Sequence, residues 1–389
     1  MFQQLKENAS NFFDILSYVY SFLTEGYDMN RIYKITGATA AGALALYLGK
    51  VYFNGGMVDR KLFQHSDLSS RVTIVTGASY GGIGYETAKV MYELGSDVVL
   101  AVRDQKAGEF AKKLMMEEPS RVLLPTNTTQ TSHNQQSPKK KGQITVMTID
   151  LTDLESVKKF AQEFKKNFQR CDYLINNAGI MMCPHSVTKQ GIEIQFGTNH
   201  LGHFLLTQLL LDMIMACNGR IINVSSIASI WLLRGGKKDI EGFCSFKENV
   251  IKGDGKDLAD IYELYGRSKL ANVLFSKKLA REFSKTNTST SASTYSVHPG
   301  AVRTNLTRHM GSMFNLIYAP LAWYFSKSPW QGAQTTLQVS LAPQKDLLNG
   351  GYYADAKLAK PNAFSDDQAL QDTLYETSLK LCEPYLKTD

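Results

Sequence analysis

From Arg71 onward, short apolar runs alternate with stretches that repeat apolar residues at helical spacing, and this alternation constrains the fold more than any other feature of the chain. The runs are VTIVT at 72–76, DVVLAV at 97–102, ITVMTI at 144–149, DYLIN at 172–176 and RIINVS at 220–225. They are apolar throughout, as strands are when helices cover both faces of a sheet. Right-handed βαβ units around a doubly wound parallel sheet follow, giving an α/β fold with a single catalytic domain. Further elements are expected at 292–297 and 330–343, with a helix over 262–284 and a short strand near 350–353.

Composition narrows the class. In 389 residues, 43% are hydrophobic and 43 Lys+Arg stand against 36 Asp+Glu, a net charge of +7. That excludes a wholly disordered, collagenous or polytopic membrane chain. The five Cys, at 171, 183, 217, 244 and 382, form no CxxC pair, so neither a zinc site nor a disulfide framework is expected and a reducing compartment is the simpler reading. His200 and His203 lie three apart, without the four-residue spacing and intervening Glu of a zincin helix, and read as structural. No metal is expected. Nucleic acid is not an expected partner either, because no arginine array with interleaved aromatics is present.

Residues 1–67 read as an N-terminal extension, 68–382 as the catalytic domain and 383–389 as a tail. Within the extension, ITGATAAGALALYLG at 35–49 is uncharged and is followed by Lys50, Tyr52 and Phe53. A spanning helix needs about 17–20 largely apolar residues, reached here only by including the flanks, so 35–53 is expected to anchor the chain in a membrane, with a buried packing helix or another targeted or interacting segment as alternatives. The stretch 119–142 is polar, with three consecutive Lys at 139–141, and reads as a surface insertion. The stretch 231–261 reads as a second insertion at the rim of a site.

The first strand runs directly into Thr76, Gly77, Ala78, Ser79, Tyr80, Gly81, Gly82, Ile83 and Gly84, and a helical pattern follows. Glycines there allow a tight turn and bring backbone N–H groups close to a pyrophosphate, the signature of a Rossmann-type dinucleotide site. Gly77, Ser79, Tyr80, Gly82, Ile83 and Gly84 are the candidate contacts in the turn. The next strand ends in Val102 and Arg103 rather than in a carboxylate. A guanidinium at that position pairs with a 2′-phosphate, so NADP(H) is preferred and NAD(H) stays possible, with Asp104 working against the phosphate.

Tyr265 and Lys269 lie at i,i+4 on one face of the helix expected over 262–284. A neighbouring ammonium favours the tyrosinate and is expected to lower the phenol pKa. Ser225 and Ser226 follow a strand and offer hydroxyls to a substrate oxygen. Asn199 falls in a helical region where its amide can hold backbone or a water. No nucleophile elbow accompanies them, so hydride transfer explains the set better than hydrolysis.

These segments resemble the short-chain dehydrogenase/reductase family, in particular its retinol-dehydrogenase-like branch, over about 68–382. The carriers are TGASYGGIG at 76–84, AVRD at 101–104, NNAG at 176–179, NHLGHFLLT at 199–207, NVSS at 223–226, YGRSKLANVLF at 265–275 and HPGAVRT at 298–304. The resemblance implies a catalytic tetrad of Asn199, Ser226, Tyr265 and Lys269. Tyr265 would pass the proton, Lys269 would tune it and bind the nicotinamide ribose, Ser226 would orient the substrate oxygen and Asn199 would keep a relay water. Cofactor contacts would also come from Asp150, Leu151, Asn177, Ala178, Gly179, Pro299, Gly300, Val302 and Thr304. The turn departs from the usual TGxxxGxG spacing, since Ile83 occupies the place of the last glycine; a one-residue expansion pairs Gly77, Gly82 and Gly84 instead.

The expected function is NADP(H)-dependent interconversion of a hydrophobic carbonyl and its alcohol, of retinoid, steroid or lipid-like type. MFNLIYAPLAWYF at 313–325 reads either as an apolar lid or membrane-facing patch or as ordinary core. An endoplasmic-reticulum membrane is the expected location, with a mitochondrial membrane or lipid droplet as alternatives. A homo-oligomer or membrane complex is an expected assembly. The rival reading is a catalytically weak or inactive structural or regulatory subunit that keeps the fold.

Overall fold

A computed structural model describes residues 42–44, 46–120, 122, 140–231, 236–246, 258–285, 292–304 and 324–387. The chain divides into two units, Met1–Asn54 and Gly55–Asp389. In the first, residues 42–44 and 46–54 are helical, and Leu46, Leu48 and Tyr52 are exposed. Among the described residues no helix is long and apolar enough to cross a membrane; residues 35–41 and 45 of the expected anchor lie outside them.

The second unit holds the sheet. Its elements in chain order are α1 (Arg60–His65), β1 (Val72–Thr76), α2 (Ile83–Glu93), β2 (Asp97–Val102), α3 (Gln105–Glu117), β3 (Ile144–Thr148), α4 (Leu154–Asn167), β4 (Tyr173–Asn176) and α5 (Ile194–Phe196). A π turn over Gly197–Leu201 leads into α6 (Gly202–Ala216), followed by β5 (Arg220–Val224), α7 (Ala228–Trp231), α8 (Lys237–Cys244), α9 (Leu258–Lys285) and β6 (Ser293–His298). The chain then forms α10 (Pro329–Leu341), β7 (Tyr352–Ala354), β8 (Lys357–Leu358) and α11 (Gln368–Leu386).

Strand order is β3-β2-β1-β4-β5-β6-β7-β8, with parallel pairing through β7 and an antiparallel β7–β8 edge. The reversal between β1 and β4 opens a crevice at their C-terminal ends, where α/β sheets bind ligands. Both faces of the strands are buried, which explains their unbroken apolar runs. Ile74, Leu174 and Ile221 face the layer of α4, α6, α9 and α11, whereas Val75, Ile175 and Ile222 face the layer of α2, α3 and α10. Each such side chain taken out of water stabilises the fold by about 1.5–3 kcal/mol.

Side chains stop and start these helices where the sheet requires it. Asp104 accepts from the N–H groups of Lys106 and Ala107 to begin α3, and Ser328 forms a reciprocal capping box with Gln331 to begin α10. Elements not expected from the sequence include α1, α8, β8 and α11. Helix α11 buries Leu370, Leu374, Ser378 and Cys382 at four-residue spacing, completing one helical layer. Most of the 119–142 insertion, parts of the 231–261 rim and nearly all of 313–325 lie outside the described residues.

Candidate active site

β1 delivers Thr76 to the crevice, and the chain turns at Gly77 with φ +66°. A Cβ on Gly77 would stand 2.9 Å from the Ala178 Cα, and one on Gly84 would stand 2.5 Å from the Asn177 amide nitrogen and 2.6 Å from the Gly77 carbonyl. Neither position tolerates a side chain, because backbone approaches backbone there. Gly82 is the N-cap of α2 with no side chain to cap it, which leaves the first N–H groups of the helix open toward the crevice. The extra residue of the turn is taken up at Gly81, whose φ of +80° falls in the left-handed region and whose missing Cβ faces open space. Gly82, Ile83 and Gly84 thus meet the helix start in the register a dinucleotide turn needs.

The Thr76 hydroxyl ties this turn to the loop after β4. It accepts from the backbone N–H groups of Asn177 and Ala178, both at 2.9 Å, and meets the His203 Nε2 at 2.9 Å. His203 Nδ1 in turn lies 3.1 Å from the Asn199 carbonyl. His200 is placed between Asn272 and Ser378. Burial pushes the two imidazoles down to about 4 and about 3 respectively, so both are neutral supports of the fold.

A cavity of about 450 Å³ runs from the glycine turn to α9. Its walls bring together every sequence-predicted site residue except two, Gly84 and Asn199, which stand behind the wall. At one end are Ser79, Tyr80 and Arg103, with Asp150 and Leu151 beside them; at the other are Ser226, Tyr265 and Lys269, flanked by the Pro299–Thr304 loop. Arg103 is exposed there, while the Asp104 carboxylate caps α3 through its Oδ1. Asp150 accepts from the Thr152 backbone and hydroxyl.

The reacting end is dry. Tyr265 is only 5% exposed and hydrogen-bonds to Ser226, whose Oγ also accepts from the Ala228 N–H at 3.2 Å. Lys269 lies one turn on, its Nζ donating 3.0 Å to the Val224 carbonyl and standing 5.8 Å from the Tyr265 ring centre. The Ser225 hydroxyl donates to the Lys269 carbonyl at 2.7 Å and Asn272 to the Val224 carbonyl at 3.2 Å, which fastens the end of β5 to α9. Asn199, in the π turn, accepts from the Ile180 N–H at 2.8 Å, donates to the Ile180 carbonyl at 3.0 Å and donates to Ser268 at 3.0 Å. Ser268 passes the chain on to the Tyr265 carbonyl at 2.7 Å. Asn199 therefore holds the Ile180 backbone directly and the tyrosine backbone through Ser268.

The expected lowering of the phenol pKa by Lys269 is not what the structure shows. Burial pushes Tyr265 up to about 12, eased by Ser226, and the same burial pushes Lys269 down to about 8. A low-dielectric pocket penalises the charged form of both groups, and burial is the leading cause of each shift. Sequence reading also missed Thr76, Ser268, Asn272 and His298 as supports; their partners are remote in the chain, so no local spacing marks them.

A nicotinamide dinucleotide fits these walls. Gly179 is bare where a Cβ would stand 3.2 Å from the Asn199 Oδ1 and 3.3 Å from the Lys269 Nζ, leaving a hollow over the lysine. The uncapped α2 start faces the same cavity.

Comparison with known proteins decides the family. The short chain dehydrogenase profile matches residues 108–234. Human retinol dehydrogenase 11 is 36% identical over 315 residues, 81% of this chain and 86% of its own. The chloroplastic short-chain dehydrogenase TIC 32 A of Brassica napus is 33% identical over 86% of this chain and 96% of its own. The chain belongs to the short-chain dehydrogenase/reductase family. Within that family it falls in the retinol-dehydrogenase-like branch, and human retinol dehydrogenase 14 is 34% identical over 88% of the chain. A crystal structure of an uncharacterised Mycobacterium paratuberculosis protein superposes with a TM-score of 0.58 at 28% identity, covering 82% of this chain and 95% of that one. This short-chain dehydrogenase is thus an oxidoreductase that uses a nicotinamide cofactor.

Proposed function

We propose that the chain is an NADP(H)-dependent oxidoreductase that interconverts a hydrophobic carbonyl, of retinoid, steroid or lipid-like kind, and its alcohol. The observation that carries this reading is the meeting of the Tyr265 phenol, the Ser226 hydroxyl and the Lys269 ammonium at one end of a cavity whose other end holds the glycine turn and Arg103. When bound, the nicotinamide supplies or takes the hydride. Tyr265, whose proton is retained at neutral pH because burial raises its pKa to about 12, donates that proton to the carbonyl oxygen in reduction. Ser226 orients the oxygen, and Lys269, protonated below about 8, stabilises the phenolate that the transfer leaves behind. Asn199 keeps Ile180 and the tyrosine turn in place.

The apolar wall of Ile180, Met181 and Ile194 supports a hydrophobic substrate, as do the relatives named retinol dehydrogenases. Exposed Arg103 supports the phosphorylated cofactor, and exposed Leu46, Leu48 and Tyr52 support attachment to a membrane. The test is NADPH oxidation by the full chain with retinaldehyde, steroid ketones and long-chain aldehydes, beside Tyr265→Phe. Turnover is expected for the parent, with kcat lower by about 10²–10⁴ in the variant. NADPH binding without turnover of any carbonyl would overturn the reading, and full recovery of the protein in the supernatant after mixing with liposomes would remove its membrane part.

A further inference from the structure

Strands β5 and β6 run parallel and in register through Val224↔Val297, and the last backbone bond between them is the Ser225 N–H to the Val297 carbonyl at 2.7 Å. Beyond it the two chains part. One turns through Ser226 into α7, and the other enters Pro299–Thr304, which lines the cavity. His298 stands at this fork, and its Nδ1 accepts from the Ile227 N–H at 3.1 Å and from the Gly300 N–H at 3.4 Å. Neither donor is inside the sheet ladder, and Pro299, which has no N–H, cannot continue it.

We infer that His298 is a positioning residue, which clasps the Ser226 segment to the loop beside the nicotinamide site through one ring nitrogen. The inference rests on the function proposed above. The opposite side of the Pro299–Thr304 loop is held independently: the Lys327 N–H donates to the Ala301 carbonyl at 2.7 Å, the Arg303 N–H donates to the Lys327 carbonyl at 3.0 Å, and the Lys327 ammonium is paired with Asp355 at 2.5 Å. His298 is therefore a side-chain link between that loop and the segment that carries the serine, and the distance between substrate oxygen and cofactor is set across it. Accepting two N–H groups requires Nδ1 to be unprotonated, with the ring proton on Nε2. Burial, reinforced by the nearby Lys327 charge, pushes the imidazole down to about 4, so the clasp stays closed at neutral pH.

The full chain is compared with His298→Leu, which keeps bulk and loses the acceptor, and His298→Asn, whose amide oxygen restores one. The readouts are kcat, the NADPH dissociation constant by calorimetry, and the imidazole nitrogen NMR spectrum of the parent. His298→Leu is expected to lose about tenfold or more in kcat and several-fold in NADPH affinity, in line with the cost of small misplacements at a reacting centre. His298→Asn is expected to recover most of both. Parent-like behaviour of the Leu variant, equal damage in both variants, or a parent spectrum with the proton on Nδ1 would overturn the role. If His298→Leu fails to fold, the Asn variant and the parent spectrum decide. If no carbonyl is turned over at all, the proposed function falls while NADPH affinity and the nitrogen spectrum still judge His298.

Discussion

The two ends of the cavity are built in opposite ways. Around Tyr265, every support is buried and cross-braced: Asn199 holds Ile180 and Ser268, Ser268 holds the tyrosine backbone, and Lys269 and Asn272 share the Val224 carbonyl. Around Arg103 the groups are exposed, and the turn absorbs an additional residue at Gly81 with open space beside it. The difference teaches where this chain tolerates variation. A proton-transfer centre must hold distances, and buried polar networks do so only when each member is satisfied. If the open edge selects a phosphate, as proposed, it needs only charge near an exposed oxygen, which one exposed cation supplies.

The sharpest way to break the braced end is Asn199→Leu. It keeps the branched shape at a larger volume and leaves the Ile180 N–H and the Ile180 carbonyl without their partner, each costing about 1–3 kcal/mol if it stays buried, while the Ser268 hydroxyl keeps only its bond to the Tyr265 carbonyl. We expect kcat to fall about a hundredfold and the unfolding midpoint to drop, measured by steady-state kinetics and thermal denaturation. A parent-like kcat would show that the bracing does not set the tyrosine's position.

Much of this contrast was legible beforehand. The unbroken apolar runs announced a sheet covered on both faces, and the spacing of Tyr265 and Lys269 put them on one helix face, although only the accompanying motifs singled that pair out. The one-residue expansion of the glycine turn was readable too, because Ile83 stands where the usual spacing puts its last glycine and Gly84 follows one place on. The bracing was not readable. Asn199 and Ser268 lie 69 residues apart, and Ile227 and His298 lie 71 apart, so their contact follows from the sheet order rather than from any local pattern. The pKa directions were hidden for the same reason: spacing showed an ammonium near a phenol, but only the fold shows how dry both are. Helix α11 carried a signal in Leu370, Leu374 and Cys382, diluted by the polar Ser378 on the same face.

A second prediction sharpens the comparison through pH. Burial lowers Lys269 from 10.5 to about 8 in the folded chain. Between about pH 8 and 10 the unfolded chain therefore holds the proton that the folded chain has released, so this residue makes stability rise with pH across that window. Tyr265 acts the other way only above its ordinary value of 10, where the unfolded phenol ionises and the folded one does not. Stability of the parent relative to Lys269→Met should accordingly increase from pH 8 to 10 in denaturant titrations. Parallel curves would mean that Lys269 is solvated, and the braced end would lose its distinction from the open one.

The smallest effect belongs to the open end. Arg103→Ala removes a cation from the cavity edge without unmaking any buried contact, so folding should be unchanged. A charge-assisted hydrogen bond to a 2′-phosphate contributes about 1.5–3 kcal/mol, which corresponds to a rise of about tenfold or more in the KM for NADPH. NADH lacks that phosphate and should be nearly indifferent to the change. Because Asp104 is occupied at the start of α3, Asp104→Asn should not restore what Arg103→Ala loses. Equal losses with both cofactors would mean that Arg103 holds the turn rather than reads the phosphate, and the open end would then be braced after all.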